Sequence, residues 1–197
     1  DIIWSKAINI SGTCWNCTPR LKTAPGGYVV AVQAGFDFEP VKVTRLDTAG
    51  TVLWQKNFDF NTMGTEFRFL LDIASDNAGN VYISGVQDFP YAPVLVKLSP
   101  AGDLVFIKTY PQGDLIYGFG VLEVLNNQQI VGVCSDNTAI LNTDGTVLST
   151  FPGTFGVIRP AADGNMFTRS SASGNMVLQK RTPTGSIIWS KTFDLPQ

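Results

Sequence analysis

The sequence predicts an all-β fold of repeated, four-stranded antiparallel units. Three observations predict it: one short phrase recurs four times, its turns carry the residues that reverse a chain between antiparallel strands, and no segment shows an apolar stripe of helical period. The phrases are LDTAGTVLWQKNF at 46–58, LSPAGDLVFIKTY, LNTDGTVLSTF and RTPTGSIIWSKTF. Aligned on Gly50, Gly102, Gly145 and Gly185, they lie 52, 43 and 40 residues apart. A period of about 40–50 residues signals a repeat array, and four antiparallel strands per unit make the blade of a β-propeller.

Within a unit the strands are lettered A to D. Each recurring phrase is the C–D hairpin. Its turn reads Asp47-Thr-Ala-Gly, Ser99-Pro-Ala-Gly, Asn142-Thr-Asp-Gly or Thr182-Pro-Thr-Gly. A type I turn favours Asp, Asn or Ser first, Pro second and Gly fourth, and glycine there can take positive φ and form a bulge. TAPGGYVVAVQ, DNAGNVYISGV, LNNQQIVGVCS and ADGNMFTRSSA supply the A–B turns and strands B. FRFLLDIAS, YGFGVLEVL and FGVIRPA supply strands A, with the irregular TCWNCTPRLK in the first unit. Four residues after each turn glycine stand Trp54, Phe106, Ser149 and Trp189; five before it stand Arg45, Lys97, Ile140 and Lys180. The third unit has lost its aromatic. The recurrent strand-D aromatic is expected to pack between neighbouring blades, because a lone blade has two open faces that stacking buries.

The blades are placed at 12–60, 61–111, 112–153 and 154–197, with residues 1–10 as an extra outer strand. That opening segment, DIIWSKAINI, repeats the SIIWSKTFDL of the far end, so both ends supply a strand D. Two readings follow. The favoured one makes the chain a piece of a larger propeller of five to eight blades, since an uncovered strand edge invites aggregation. The other is a self-contained ring of four blades with an added edge strand.

Composition excludes several classes. Of 197 residues 44% are hydrophobic and only 15% charged, which argues against disorder. A net charge of −2 leaves no electrostatic footprint for nucleic acid. No apolar run reaches the length of a membrane span. No signal peptide is visible, although a sequence opening at Asp1 is compatible with one having been removed. The chain has no histidine, so it cannot itself build a Ser-His-Asp or Cys-His centre. Its three cysteines cannot complete a zinc site. No metal site and no cofactor is expected.

Functional contacts are expected on one face. The A–B and C–D turns are short and stereotyped. The B–C loops and D–A connections, which share the other face, are longer and aromatic: GFDFEP, QDFPYAP, SGTCWNCTPR, FDFNTMGTE and PQGDLIYG. Function concentrates on variable loops held by a rigid scaffold. The candidate ligand-binding residues are Trp15, Phe36, Phe38, Phe60, Asp88, Phe89 and Tyr91. Alternatively, these aromatics only close the ends of the blades. The partners that suit them are protein or carbohydrate. Cys14-Trp15-Asn16-Cys17 fits a local disulfide or two inert thiols; Thr18 stands where a c-type haem site needs histidine. Cys134 reads as a buried small hydrophobe. The acids Asp37, Glu39, Asp88, Asp136 and Asp144 show no calcium-loop spacing and read as solvated loop acids. A glycosidase would need paired carboxylates, and none of Glu39, Glu66 and Glu123 can be paired from sequence. Asn9-Ile-Ser and Asn16-Cys-Thr match the N-glycosylation sequon.

GGYVVAVQAG followed by VKVTRLDTAGTVLWQKNF, and DNAGNVYISGVQDFPYAPVLVKLSPAGDLVFIKTY, resemble the SBBP-type β-propeller repeats common in secreted and cell-surface proteins of Bacteroidetes. The resemblance spans all four units and is weakest in the third. It implies a propeller exported from the cell. It carries no catalytic residue, because its motif positions are turn and packing positions. LDTAGTVLW also resembles the tryptophan-docking motif of quinoprotein propellers, but nothing matches their cofactor-binding residues, and the chain is too short for eight blades. The expected role is therefore a non-enzymatic binding, adhesion or scaffold module, secreted or on the cell surface. It would engage a ligand through the loop-rich face and associate with the rest of a larger propeller or with a partner subunit. The alternatives are a carbohydrate-active propeller enzyme and a structural spacer. Two or more carboxylates converging near the propeller axis would favour the enzyme.

Overall fold

The computed structural model describes residues 19–33, 39–110, 113, 115, 117–172 and 174–194. The expected outer strand 1–10, the Cys14–Cys17 motif, Trp15, Phe36 and Phe38 lie outside the described residues. Four antiparallel four-stranded sheets follow one another along the chain. The first holds β1 (Arg20–Ala24), β2 (Gly27–Gln33), β3 (Val41–Asp47) and β4 (Val52–Phe58). The second holds β5 (Phe67–Ser75), β6 (Val81–Gln87), β7 (Ala92–Leu98) and β8 (Leu104–Thr109). The third holds β9 (Val121–Val124), β10 (Ile130–Val133), β11 (Asn137–Leu141) and β12 (Val147–Pro152). The fourth holds β13 (Val157–Pro160), β14 (Met166–Ala172), β15 (Asn175–Arg181) and β16 (Ile187–Phe193). The inner strands β1, β5, β9 and β13 are successive neighbours, so the sheets stack in chain order as propeller blades do. Among the described residues the one helical piece is a 3-10 turn, Phe60–Met63.

The C–D turns form as their residues dictate. The N–H groups of Gly50, Gly102, Gly145 and Gly185 donate to the carbonyls of Asp47, Ser99, Asn142 and Thr182 at 2.9–3.1 Å. All four glycines have positive φ, between 77° and 91°. The ladder slips once beside each turn, at Arg45/Leu46, Lys97/Leu98, Ile140/Leu141 and Lys180/Arg181. These are the bulges that a left-handed glycine permits. The second A–B turn shows why the repeat reads DNAGNVY. Asp76 is buried, and its carboxylate accepts from the Asn80 backbone at 2.9 Å, the Asn80 amide at 2.7 Å and the Tyr82 hydroxyl at 3.0 Å. Burial first, and the Asp76 carboxylate second, push the Tyr82 phenol up from its ordinary value.

The recurrent strand-D aromatic joins blades. The Trp54 ring lies on Gly102 of the next sheet, so close that a Cβ there would sit 3.0 Å from the ring, and its indole N–H donates to the Pro100 carbonyl at 2.8 Å. Phe106 lies on Gly145 in the same way, and the Tyr110 hydroxyl donates to the Gly145 carbonyl at 2.7 Å. In the third sheet the place of the missing aromatic at Ser149 is taken two residues later. Phe151 shares the face of Ser149 and presses on Gly185, where a Cβ would fall 2.3 Å from its ring. Between the first and second sheets Val29, Ala31, Val41 and Val43 meet Ile73, Val81, Ile83, Val94 and Val96, all fully buried. Similar clusters fill the next two interfaces.

Trp54→Ala is expected to cost about 2–3 kcal/mol, since it removes a ring packed on a neighbouring sheet together with its hydrogen bond. Leu53→Ala, at a side chain 58% exposed, should stay within about 0.5 kcal/mol. Urea denaturation of the two variants checks this; equal losses would remove the ring-on-glycine contact from the forces that hold the blades together.

Candidate functional site

The inner strands carry charge to the axis. Lys22 on β1 lies 3.1 Å from Glu123 on β9 and 3.8 Å from Asp72 on β5. Arg159 on β13 lies 2.9 Å from the same Glu123 oxygen. Asp72 also accepts the backbone N–H of Leu122 at 2.9 Å. Two carboxylates thus converge near the axis, the arrangement named above as the mark of an enzyme. Here Lys22 pairs with both of them. The network instead ties all four inner strands, with the side chains of Lys22, Asp72 and Glu123 only 15–20% exposed.

Above the start of the inner strands, on the face of the B–C loops and D–A connections, opens a cavity of about 1020 Å³. Phe69, Val121 and Phe155 form much of its apolar wall, and Arg68, Tyr91, Tyr117, Ser135, Thr154, Ser170 and Ser171 supply polar groups. Among the described residues no carboxylate lines it, and Asp72 and Glu123 are not part of its wall.

Tyr91 follows the tip of the QDFPYAP loop and stacks on Tyr117 with ring centres 5.4 Å apart and planes 23° apart. Arg68, in β5, fixes this pair. Its NH1 donates to the Asp88 carboxylate at 3.0 Å and to the Tyr91 hydroxyl at 2.9 Å, and its guanidinium sits 4.9 Å from the Phe69 ring centre. Tyr117 has φ 72° and is 53% exposed. A bulky residue in the left-handed region is strained and persists only where its surroundings enforce it. Two residues on, Phe119 is anchored. It is fully buried against Gly132, where a Cβ would come within 2.4 Å of its ring, and its carbonyl accepts the Ser84 hydroxyl at 2.8 Å.

Of the seven aromatic and acidic candidates, Tyr91 lines this cavity, with Asp88 behind it on Arg68 and Phe89 beside it outside the wall. Phe89 is 81% exposed and meets Tyr91 edge-on at 6.4 Å. Phe60 is in a different place: it is 1% exposed, stacked on Phe58 at 5.6 Å and tilted on Phe67 at 4.9 Å. The Asp59 carboxylate, accepting from the Asn61 N–H at 3.2 Å, starts the 3-10 turn that folds Phe60 inward, so this ring closes the blade rather than facing a ligand. Arg68 and Tyr117 were not among the sequence candidates. Arg68 is hidden inside a strand pattern, and Tyr117 in a stretch read as the start of strand A. Cys134 is buried at the cleft floor, and burial pushes its thiol up to about 12. Among the described residues no cluster of three His, Cys, Asp or Glu side chains forms that could hold a metal.

No family model matches the sequence, and no curated protein matches it. Solved propeller structures do match in fold. The major Malassezia sympodialis allergen Mala s 1 superposes with a TM-score of 0.56 at 11% identity, over 85% of this chain and 60% of its own. A luciferin-regenerating enzyme gives 0.55 at 12%, over 93% and 65%. The Neurospora crassa Pan2 WD40 domain gives 0.52 at 10%, over 84% and 52%. The chain therefore spans between about half and two thirds of the length of these structures. At such identities the likeness shows the β-propeller fold, and the neighbours include an enzyme as well as proteins of other kinds.

Glu123→Gln should destabilise the protein by about 1–3 kcal/mol, because Lys22 and Arg159 lose their shared, mostly buried anion. Asp103→Asn, at a pair where the aspartate is 72% exposed, should cost under about 1 kcal/mol. Chemical denaturation distinguishes the two; a Glu123→Gln loss as small as that of Asp103→Asn would make the axial network incidental. The buried thiol of Cys134 should resist iodoacetamide at neutral pH in the folded protein and react fully once urea unfolds it. Its raised value favours the folded state only while the thiol is neutral, so this contribution fades as pH climbs from the unfolded 9.0 toward about 12.

Proposed function

We propose that this chain is a non-catalytic recognition module that takes a carbohydrate in the cleft of its loop-rich face. One observation carries the reading: a stacked pair of tyrosines, locked by Arg68, stands in a cavity of about 1020 Å³ lined by hydroxyls and backbone but, among the described residues, by no carboxylate. A sugar ring has an apolar face of C–H groups and a polar rim of hydroxyls. Tyr91 and Tyr117 offer a flat apolar surface for the first, and Ser135, Thr154, Ser170, Ser171 and Arg68 offer donors and acceptors for the second. The strained backbone of Tyr117 fits a side chain held ready before its ligand arrives.

The setting follows the repeat pattern. Units of the DNAGNVY and KLSPAG kind resemble the SBBP-type repeats of secreted bacterial proteins, so the module belongs to a secreted or cell-surface protein, where glycans are at hand. Adhesion is the biological form such recognition takes.

A screen of soluble bacterial and host glycans on an array, followed by calorimetry on the best hit, tests the reading. Tyr91→Ala and Tyr117→Ala should each weaken binding at least tenfold, about 1.4 kcal/mol, with unchanged far-ultraviolet circular dichroism. Binding unaffected by the double change would sink the cleft as the site; an array without any hit would sink the choice of carbohydrate.

A further inference from the structure

Each sheet has a face that looks toward its successor. On the first this face carries Val29, Val43, Trp54 and Lys56; on the second, Tyr82, Leu95, Phe106 and Lys108; on the third, Val131, Thr138, Ser149 and Phe151. The register puts Phe167, Leu178, Trp189 and Lys191 at the same positions of the fourth sheet. The face is one surface: Phe167 and Trp189 lie 6.0 Å apart, and Lys191 sits 5.8 Å from the Trp189 ring centre. In the first three sheets the central positions are closed, with Val43, Leu95 and Thr138 each 0% exposed. In the fourth, Leu178 and Phe167 are partly exposed, Phe193 is 42% exposed and Lys191 is open to solvent.

We infer that this outward face of the fourth sheet is the docking surface for a further propeller blade whose C–D turn sets an acidic residue beside its glycine. The chemistry of the occupant is read from the interfaces already formed. Trp54 covers Gly102, and Lys56, two residues on, pairs with Asp103 beside that glycine at 2.7 Å. Phe106 covers Gly145, and the Lys108 chain packs on the same glycine, next to Asp144. Trp189 and Lys191 repeat that pair of residue types at that spacing, and no turn glycine among the described residues lies beneath them.

Charge adds a second argument. Arg159, Arg169, Lys180 and Lys191 share this face, and its ion pairs among the described residues use Glu123 and Asp163. An acidic turn complements that surplus, whereas the same face of a second copy would meet it with like charge. The opposite face of the first sheet cannot serve as the partner either, because Val30, Val32 and Leu46 on it are already buried. The inferred occupant is a blade outside the described residues, joined to β16 as each blade here is joined to the one before it. β5, β9 and β13 are each entered directly from β4, β8 and β12, and β16 leaves the fourth sheet in the same position.

Zero-length carbodiimide cross-linking of the native protein from its source, read by peptide mass spectrometry, tests the inference. The internal Lys56–Asp103 cross-link is the positive control. The expected result joins Lys191 to an Asp or Glu next to a turn glycine, in a peptide absent from these 197 residues but part of a single chain heavier than 21.3 kDa. The exposed variant Lys191→Glu, which leaves the core intact, should abolish that cross-link and keep the control. The inference is overturned if Lys191 remains unlinked while the control forms, or if it links to a second copy, to a separate polypeptide or to an acid within residues 1–197.

Discussion

A ring laid on a glycine is the contact on which the rest of this structure depends. A blade is flat, so its neighbour must approach closely along its whole length, and the outer strand is where the sheets would splay. The turn glycine solves two problems with one residue. It takes the left-handed φ that the bulged hairpin needs, and it has no Cβ to hold off the ring of the preceding blade. Any other residue at Gly185 would place a carbon 2.3 Å from Phe151. Position and partner are therefore fixed together, and the repeat in the sequence is the trace of that joint constraint.

The stacking that this contact enforces also makes the axis and its mouth. Inner strands brought side by side carry their mid-strand charges into one small space, where Lys22 and Arg159 balance Asp72 and Glu123. That exchange joins strands far apart in sequence. Above it the inner strands begin and the second strands end. The chain there leaves its regular ladder, and the cleft takes its lining from strand ends and loops of the second, third and fourth sheets. The scaffold is thus spent on one face and the variable surface is gathered on the other.

The turns and strands of the described framework were legible in the sequence, because glycine, proline and small polar residues at fixed offsets have few conformations open to them. Even the third unit obeys the rule once Phe151 is recognised in place of the aromatic absent at Ser149. The cleft was legible only in part. Asp88, Phe89 and Tyr91 stand out as an aromatic loop interrupting a strand pattern. Phe60 stands out in the same way and is buried, since local sequence does not say which side of a turn a ring will take. Arg68 and Tyr117 were invisible for a different reason. Their roles depend on register between segments 20 to 50 residues apart, and Tyr117 on a backbone conformation that propensity argues against.

The described lining of the cleft suits the recognition proposed above, because its polar groups are an arginine and hydroxyls set among aromatic rings. The cysteine at its floor is held as a neutral thiol by burial, so it is a poor nucleophile where it stands. The cleft's surfaces are amphipathic: two stacked phenols, a planar cation already anchored by Asp88, and a scatter of hydroxyls. Such groups select a ligand by shape and hydrogen bonding, and fixing Tyr91 in advance through Arg68 lowers the ordering that binding must impose.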